Sequence, residues 1–334
     1  MRLVLVMVAV ASGGAFAAEP VSAGSAPSPI EAVVAVGRPV FGKPTAVSSD
    51  GRFVTVFDWT TGNGLFDRID RRTGAATAAP SAMMSSDGHV FVVDKSSTTI
   101  EMVDVDNGST RDYPVPTGWL NPTGLAVSRH GEVVVFSVDA GGASFHTPAY
   151  ALITATGETV DLTAGLPRTQ FVAGPGGASV SADGRYVTFG WNNINVGCTV
   201  SGPQCLLEIL RYDMVTRTRQ LVSVSAGGAE AAGADQLPAT SASGRYVSWL
   251  SNATDLTPGL SDARYRLVMR DLDQNLTSLV SDNIDQSTAL VAPSIDDEGR
   301  LVAFQGTGHI LFNGMTFDET QDYVFDRVAG TTTH

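Results

Sequence analysis

Hydrophobic and polar positions alternate along this chain in short runs, and one recurring turn punctuates them. "SADGRYVTF" from Ser181 and "SASGRYVSW" from Ser241 are its clearest forms. "SSDGRFVTV" from Ser48, "SSDGHVFVV" from Ser85, "SRHGEVVVF" from Ser128 and "DDEGRLVAF" from Asp296 are weaker copies. A motif that returns at intervals of tens of residues marks a repeat architecture, with one supersecondary unit per copy. Asp-Gly between two strand-like runs predicts a hairpin with a two-residue primed turn, because glycine enters positive φ without steric cost. The Ser and Asp side chains can bond nearby backbone amides, so the motif reads as a turn module and not as an active site.

Aligned on its glycine, the run after the turn places Val187 and Phe189, or Val247 and Trp249, on one face and Tyr186 or Tyr246 on the other. Side chains alternate with period two along a strand, and a strand apolar on both faces must be covered on both. A second strand follows each copy, as in "LFDRIDRRTG" from Leu65, "LEILRYDMVTR" from Leu207 and "DYVFDRVAG" from Asp322, and most lead into another short strand. Each repeat therefore predicts four antiparallel strands, here A to D. The whole predicts an all-β, six-bladed β-propeller over residues 30–334. The last repeat leaves too little chain for a full fourth strand, while "IEAVVAVGRPV" near the N-terminus resembles the fourth strand of repeat four. The expectation is that Ile30 to Val36 becomes the outer strand of blade six and closes the ring.

The elements "SADGRYV", "SNATDLTPGLSD", "VMRDLDQNLTSLVS" and "YVFDRVAGTTT" resemble the repeats of the TolB-type β-propeller family, most closely in blades four to six. Blade three departs from that pattern, with Arg129-His130 in place of the x-Asp pair. The resemblance implies an exported propeller.

Composition agrees with strands and turns: charged residues are 16% of the chain and glycines number 35. Residues 1–17 read as a secretory signal peptide, with Arg2, an apolar run from Leu3 to Ala11 and a small-x-small cleavage site at Ala15-Phe16-Ala17. The apolar run is too short to span a bilayer. Residues 18–29 read as a flexible linker. Periplasmic or extracellular localisation follows, and in an oxidising compartment Cys198 and Cys205 are expected to form a disulfide within one loop. The formal net charge of -13, with no Lys/Arg cluster, argues against a nucleic-acid partner.

The A-B turns are uniform, whereas the B-C segments vary widely, from "DKSSTT" to "WNNINVGCTVSGPQC" and "QGTGHILFNGMTFDETQ". Variable loops on a rigid scaffold carry function, so this rim is the candidate site. Trp59, Trp119, Phe145, His146, Phe171, Trp191, Asn192, Asn193, His309 and Phe312 are its candidate binding residues, because aromatic and amide groups suit a polypeptide or a sugar. No Gly-x-Ser-x-Gly elbow occurs, and His89 and His130 fall at A-B turns on the opposite rim from His146 and His309, so no catalytic set assembles. Asp255 and Asp262 are the weak metal candidates; no cofactor is required, and a divalent cation stays open. The expected function is a monomeric, non-catalytic scaffold for a protein or peptide. The alternatives are a metal-dependent lyase or hydrolase acting on carbohydrate or lactone, and a glycan-binding module.

Overall fold

The computed structural model describes residues 44–58, 65–80, 82–139, 147–166, 177–192, 207–258, 265–280, 293–312 and 315–333. They form six four-stranded antiparallel sheets, each pairing in chain order. Blade one holds β1 (Pro44–Val47), β2 (Phe53–Asp58), β3 (Leu65–Asp70) and β4 (Ala76–Ala79), and blade two β5 (Met83–Met84), β6 (Val90–Ser96), β7 (Thr99–Asp104) and β8 (Thr110–Pro114). Blade three holds β9 (Leu120–Val127), β10 (Val133–Asp139), β11 (Ala149–Ile153) and β12 (Glu158–Asp161), and blade four β13 (Ala178–Val180), β14 (Tyr186–Asn192), β15 (Leu207–Asp213) and β16 (Thr218–Leu221). Blade five holds β17 (Asp235–Thr240), β18 (Tyr246–Ser251), β19 (Arg266–Asp271) and β20 (Leu276–Leu279), and blade six β21 (Ser294–Ile295), β22 (Leu301–Phe312), β23 (Met315–Asp326) and β24 (Thr331–Thr333). The fold is the six-bladed propeller that the repeats predict.

The recurring turn is longer than a two-residue primed turn. In blade one Ser48 N–H donates to Phe53 O at 2.9 Å and Gly51 N–H to Ser48 O at 2.8 Å, so residues 49–52 lie between the closing pair. The serine hydroxyl explains the choice. It accepts Phe53 N–H at 2.9 Å and donates to the Asp50 carboxylate at 2.7 Å, which in turn accepts Arg52 N–H at 2.9 Å. Ser85, Ser128, Ser181 and Ser241 accept the equivalent N–H at 2.9 to 3.1 Å, and Asp296 substitutes for serine in blade six, taking Leu301 N–H at 3.0 Å. The motif is thus a self-satisfied hydrogen-bond unit, which a short turn would leave half made.

The strand after the turn is buried on both faces, as its pattern requires: Val187 and Phe189 are fully covered, and so are Val247 and Trp249. The apolar clusters straddle neighbouring blades. One joins blades three and four through Val135, Val187 and Tyr212, another joins four and five through Ile209, Val222 and Trp249, and a third joins five and six through Tyr246, Leu267 and Phe304. Burial of these faces between blades is the main stabilisation of the ring.

Two expectations change. The last repeat does reach a fourth strand: Thr331, Thr332 and Thr333 of β24 pair with Asp326, Phe325 and Val324. Ile30 to Val36 lies outside the described residues. The segment read as the B-C loop of blade six is instead a continuous ladder from Leu301↔Asp326 to Phe312↔Met315.

Candidate functional site

The two rims differ in chemistry. On the A-B rim, neighbouring blades are tied turn to turn. Ser49 N–H donates to Ser86 O, Asp87 N–H to Arg129 O, Arg129 N–H to Ala182 O, Ala182 N–H to Ala242 O and Ala242 N–H to Asp297 O, at 2.6 to 3.2 Å. In four blades the arginine after the turn glycine grips the aspartate that ends strand C: Arg52 with Asp70 at 2.7 Å, Arg185 with Asp213 at 2.9 Å, Arg245 with Asp271 at 2.6 Å and Arg300 with Asp326 at 2.5 Å. Each aspartate also accepts amides of its own C-D turn, as Asp213 does from Val215 and Thr216. The arginine hydrogen bond, opposed by partial burial and aided by those amides, holds Asp70 and Asp213 down to about 2. Charge-assisted pairs of this kind leave few free groups on that rim.

One ion pair crosses the ring. Arg129 of blade three bonds the Asp297 carboxylate of blade six, and both side chains are largely covered. The two residues occupy the same turn position, three blades apart, so in a six-bladed ring they face each other across the axis. Ser49, Ser86, Ala182 and Ala242, all small, hold that position in the other blades. The pair is therefore a strut across the axis at the A-B rim. His89 pairs with Asp106, and His130 pairs with Asp87 at 2.7 Å, so both histidines serve turns.

Of the candidate residues, Trp119, Trp191, Asn192, His309 and Phe312 fall among the described ones. Trp119 lies between β8 and β9, half-buried against the cluster of Phe136, Tyr150 and Leu152, and it hydrogen-bonds the Tyr150 side chain. Trp191 lies within β14 and not in a loop; it is 5% exposed, because the strand continues to Asn192 and turns the indole into the core shared with blade three. Asn192 ends β14 opposite Leu207. His309 and Phe312 sit in β22, opposite Asp318 and Met315. Asp255 accepts Ala232 N–H at 3.0 Å and so pins the segment entering blade five. Trp59, Phe145, His146, Phe171, Asn193, Asp262, Cys198 and Cys205 lie outside the described residues. Among the described residues no group of His, Cys, Asp or Glu is arranged to hold a metal ion.

The sequence reading missed a carboxyl cluster between blades four and five. Glu208 in β15 is 6% exposed; burial, with the adjacent Glu230 carboxyl, pushes it up to about 8. Asp235, fully buried, accepts Trp249 Nε1–H at 2.8 Å, and burial raises its carboxyl to about 6. An acid at a core-facing position of "LEILRYD" was the available signal for Glu208. The signal for the strut was opposite charges at one repeat position, half a ring apart.

No protein-family model and no curated protein matches the sequence. Solved structures do match. Porphyromonas gingivalis dipeptidyl peptidase 4 aligns at 12% identity and a TM-score of 0.52, over 89% of this chain and 53% of that one. Kuenenia stuttgartiensis hydrazine synthase aligns at 13% identity and 0.50, over 87% and 82%. TolB from Acinetobacter baumannii aligns at 16% identity and 0.44, over 80% and 61%. At such identities the likeness concerns fold alone, and the chain spans about half the length of the peptidase.

Proposed function

We propose that this chain is an exported, monomeric propeller that binds a protein or peptide through its B-C rim. The observation that carries the reading is the arm of blade six. β22 and β23 run 12 residues each, whereas the B and C strands of the other blades run five to seven. β21 pairs only with Ala303 and Val302, and β24 only with Val324 to Asp326. Among the described residues, 306–312 and 315–321 of the arm therefore pair only with each other, leaving two ribbon edges of backbone donors and acceptors. An extended polypeptide adds to such an edge through main-chain hydrogen bonds, with alternate side chains conferring specificity. The A-B rim, by contrast, uses its polar groups on itself. The scaffold thus presents one reactive rim and one inert one.

The test places a photo-crosslinking amino acid at Phe312 on the arm, and separately at His130 on the A-B rim, in intact cells making the full chain. Polypeptide adducts from position 312 and none from position 130 are expected, and shortening the arm to the length of the other blades should abolish them. Adducts from position 130 alone, or none from either, would overturn the proposal.

A further inference from the structure

The residue just before the rim aspartate of strand C faces the neighbouring blade. It is Ile69, Val103, Leu152, Tyr212 and Phe325 in blades one, two, three, four and six, each paired with the third residue after its blade's turn glycine. In blade five it is Arg270. This arginine sits between the apolar Val268 and Leu272, which face blade four, and it is 7% exposed. Its Nη1 donates to Thr277 Oγ1 at 2.8 Å, while its Nε has no acceptor among the described residues.

A buried guanidinium normally comes with a carboxylate. Arg68, equally covered, pairs with Asp106, and Arg129 pairs with Asp297. Among the described residues Arg270 has no such partner, and burial lowers its affinity for the proton. An unpaired buried charge costs several kcal/mol, and a chain of net charge -13 has ample carboxylates with which to avoid it. Arg270 instead borders a cleft of about 470 Å³ between the outer strands of blades four and five. Gln220, Ser225 and Thr277 supply polar groups to that cleft, and Leu221, Leu256 and Leu276 supply apolar walls. A site of this size, about equally polar and apolar and built around one cation, suits a small polar ligand.

We propose that the cleft between blades four and five is a binding site for a small anionic ligand, whose carboxylate or other oxyanion pairs with Arg270 while hydroxyl groups meet Gln220, Ser225 and Thr277. The site lies on the flank of the ring and does not depend on polypeptide binding at the B-C rim.

The experiment is thermal unfolding of the mature full-length chain titrated with glucuronate, acetate or inorganic phosphate, against chloride at matched ionic strength. The same titrations are run on Arg270→Met and on Arg270→Tyr, the latter restoring the kind of residue that blade four carries in Tyr212. A saturable rise in Tm with at least one anion is expected, weakened about tenfold or more in both variants, since losing one charge-assisted pair is worth that much. Glucuronate as the strongest probe identifies a sugar acid, and phosphate as the strongest identifies a phosphate ester. Should either variant fold poorly, the side-chain Nε resonance of Arg270 in the unaltered protein supplies the readout, and it should shift with the same half-saturation as Tm. No saturable response to any of the three anions, or an equal response in the variants, overturns the proposal. Crosslinking from position 312 should be the same in Arg270→Met, which separates the two readings.

Discussion

Replacing Gly88 with alanine adds one methyl group where blade one meets blade two. The new carbon would lie 2.6 Å from Cδ2, 2.8 Å from Cβ and 2.9 Å from Cγ of Phe53. Phe53 has no room to retreat, because it is buried and the Arg52 and Arg68 guanidiniums stand 4.6 and 4.4 Å from its ring centroid. Gly88 has a φ of 82°, a left-handed conformation that costs alanine about 1–2 kcal/mol. Overpacking against the ring adds about 1–3 kcal/mol. Gly74 is the matched control: its φ is 73° and no atom would lie within 4 Å of its added carbon, so Gly74→Ala carries the backbone cost alone. In denaturant and thermal unfolding, Gly88→Ala should therefore fall about 1–3 kcal/mol below Gly74→Ala, or roughly 2–5 °C in Tm for a domain of this size. Adding Phe53→Ala should shrink the excess, since the two residues share one contact. Equal losses in the two alanine variants would refute the claim that blade spacing is set by a side chain seated on the next blade's turn glycine.

The axial strut predicts that Arg129→Ala and Asp297→Ala each destabilise by about 1–2 kcal/mol, between the ranges for exposed and buried pairs. A double-mutant cycle should return most of that as coupling, and the charge-swapped pair should regain it; additive losses would remove the strut. Glu208, raised by burial beside Glu230 from an ordinary 4.5 to about 8, binds its proton more tightly folded than unfolded. Stability should accordingly be full below pH 4.5 and fall as pH rises through about 8, and Glu208→Gln should flatten that slope in urea midpoints at pH 5, 7 and 9. Asp70 and Asp213 have the opposite sign: their pairs with Arg52 and Arg185 hold them at about 2, so their contribution is present above pH 4 and is lost as pH falls through about 2. Arg185→Ala should move the acid-unfolding midpoint upward, and an unchanged midpoint would show the pair to be inert.

Much of the fold was legible because its determinants are local. The Ser-x-Asp-Gly turn closes over six residues, and its hydrogen bonds involve only neighbours in sequence. Alternation over five or six residues then fixes which face each strand buries. Strand ends were less legible. Trp191 reads as a loop residue because Asn192 and Asn193 follow it, yet cross-strand pairing with Glu208 carries β14 past the indole. The arm of blade six reads as a loop because glycines at 306 and 308 break its pattern, and only the partner strand shows that pairing continues through them.

The sequence by itself determined the number of blades, the four-strand plan of most of them, and the place of the glycine turn between strands A and B. Short-range hydrogen bonding and period-two burial suffice for all of these. The tertiary structure alone decided which repeats meet across the ring. Arg129 and Asp297 are 168 residues apart and pair only because six blades place the third opposite the sixth. Arg270 looks like an ordinary strand cation until the neighbouring blade buries it with no carboxylate among the described residues, and the carboxyl neighbours of Glu208, Glu230 and Asp235, come together only in the fold. Charge chemistry in this protein depends on what the next blade brings, and that is set by the closure of the ring, not by any single repeat.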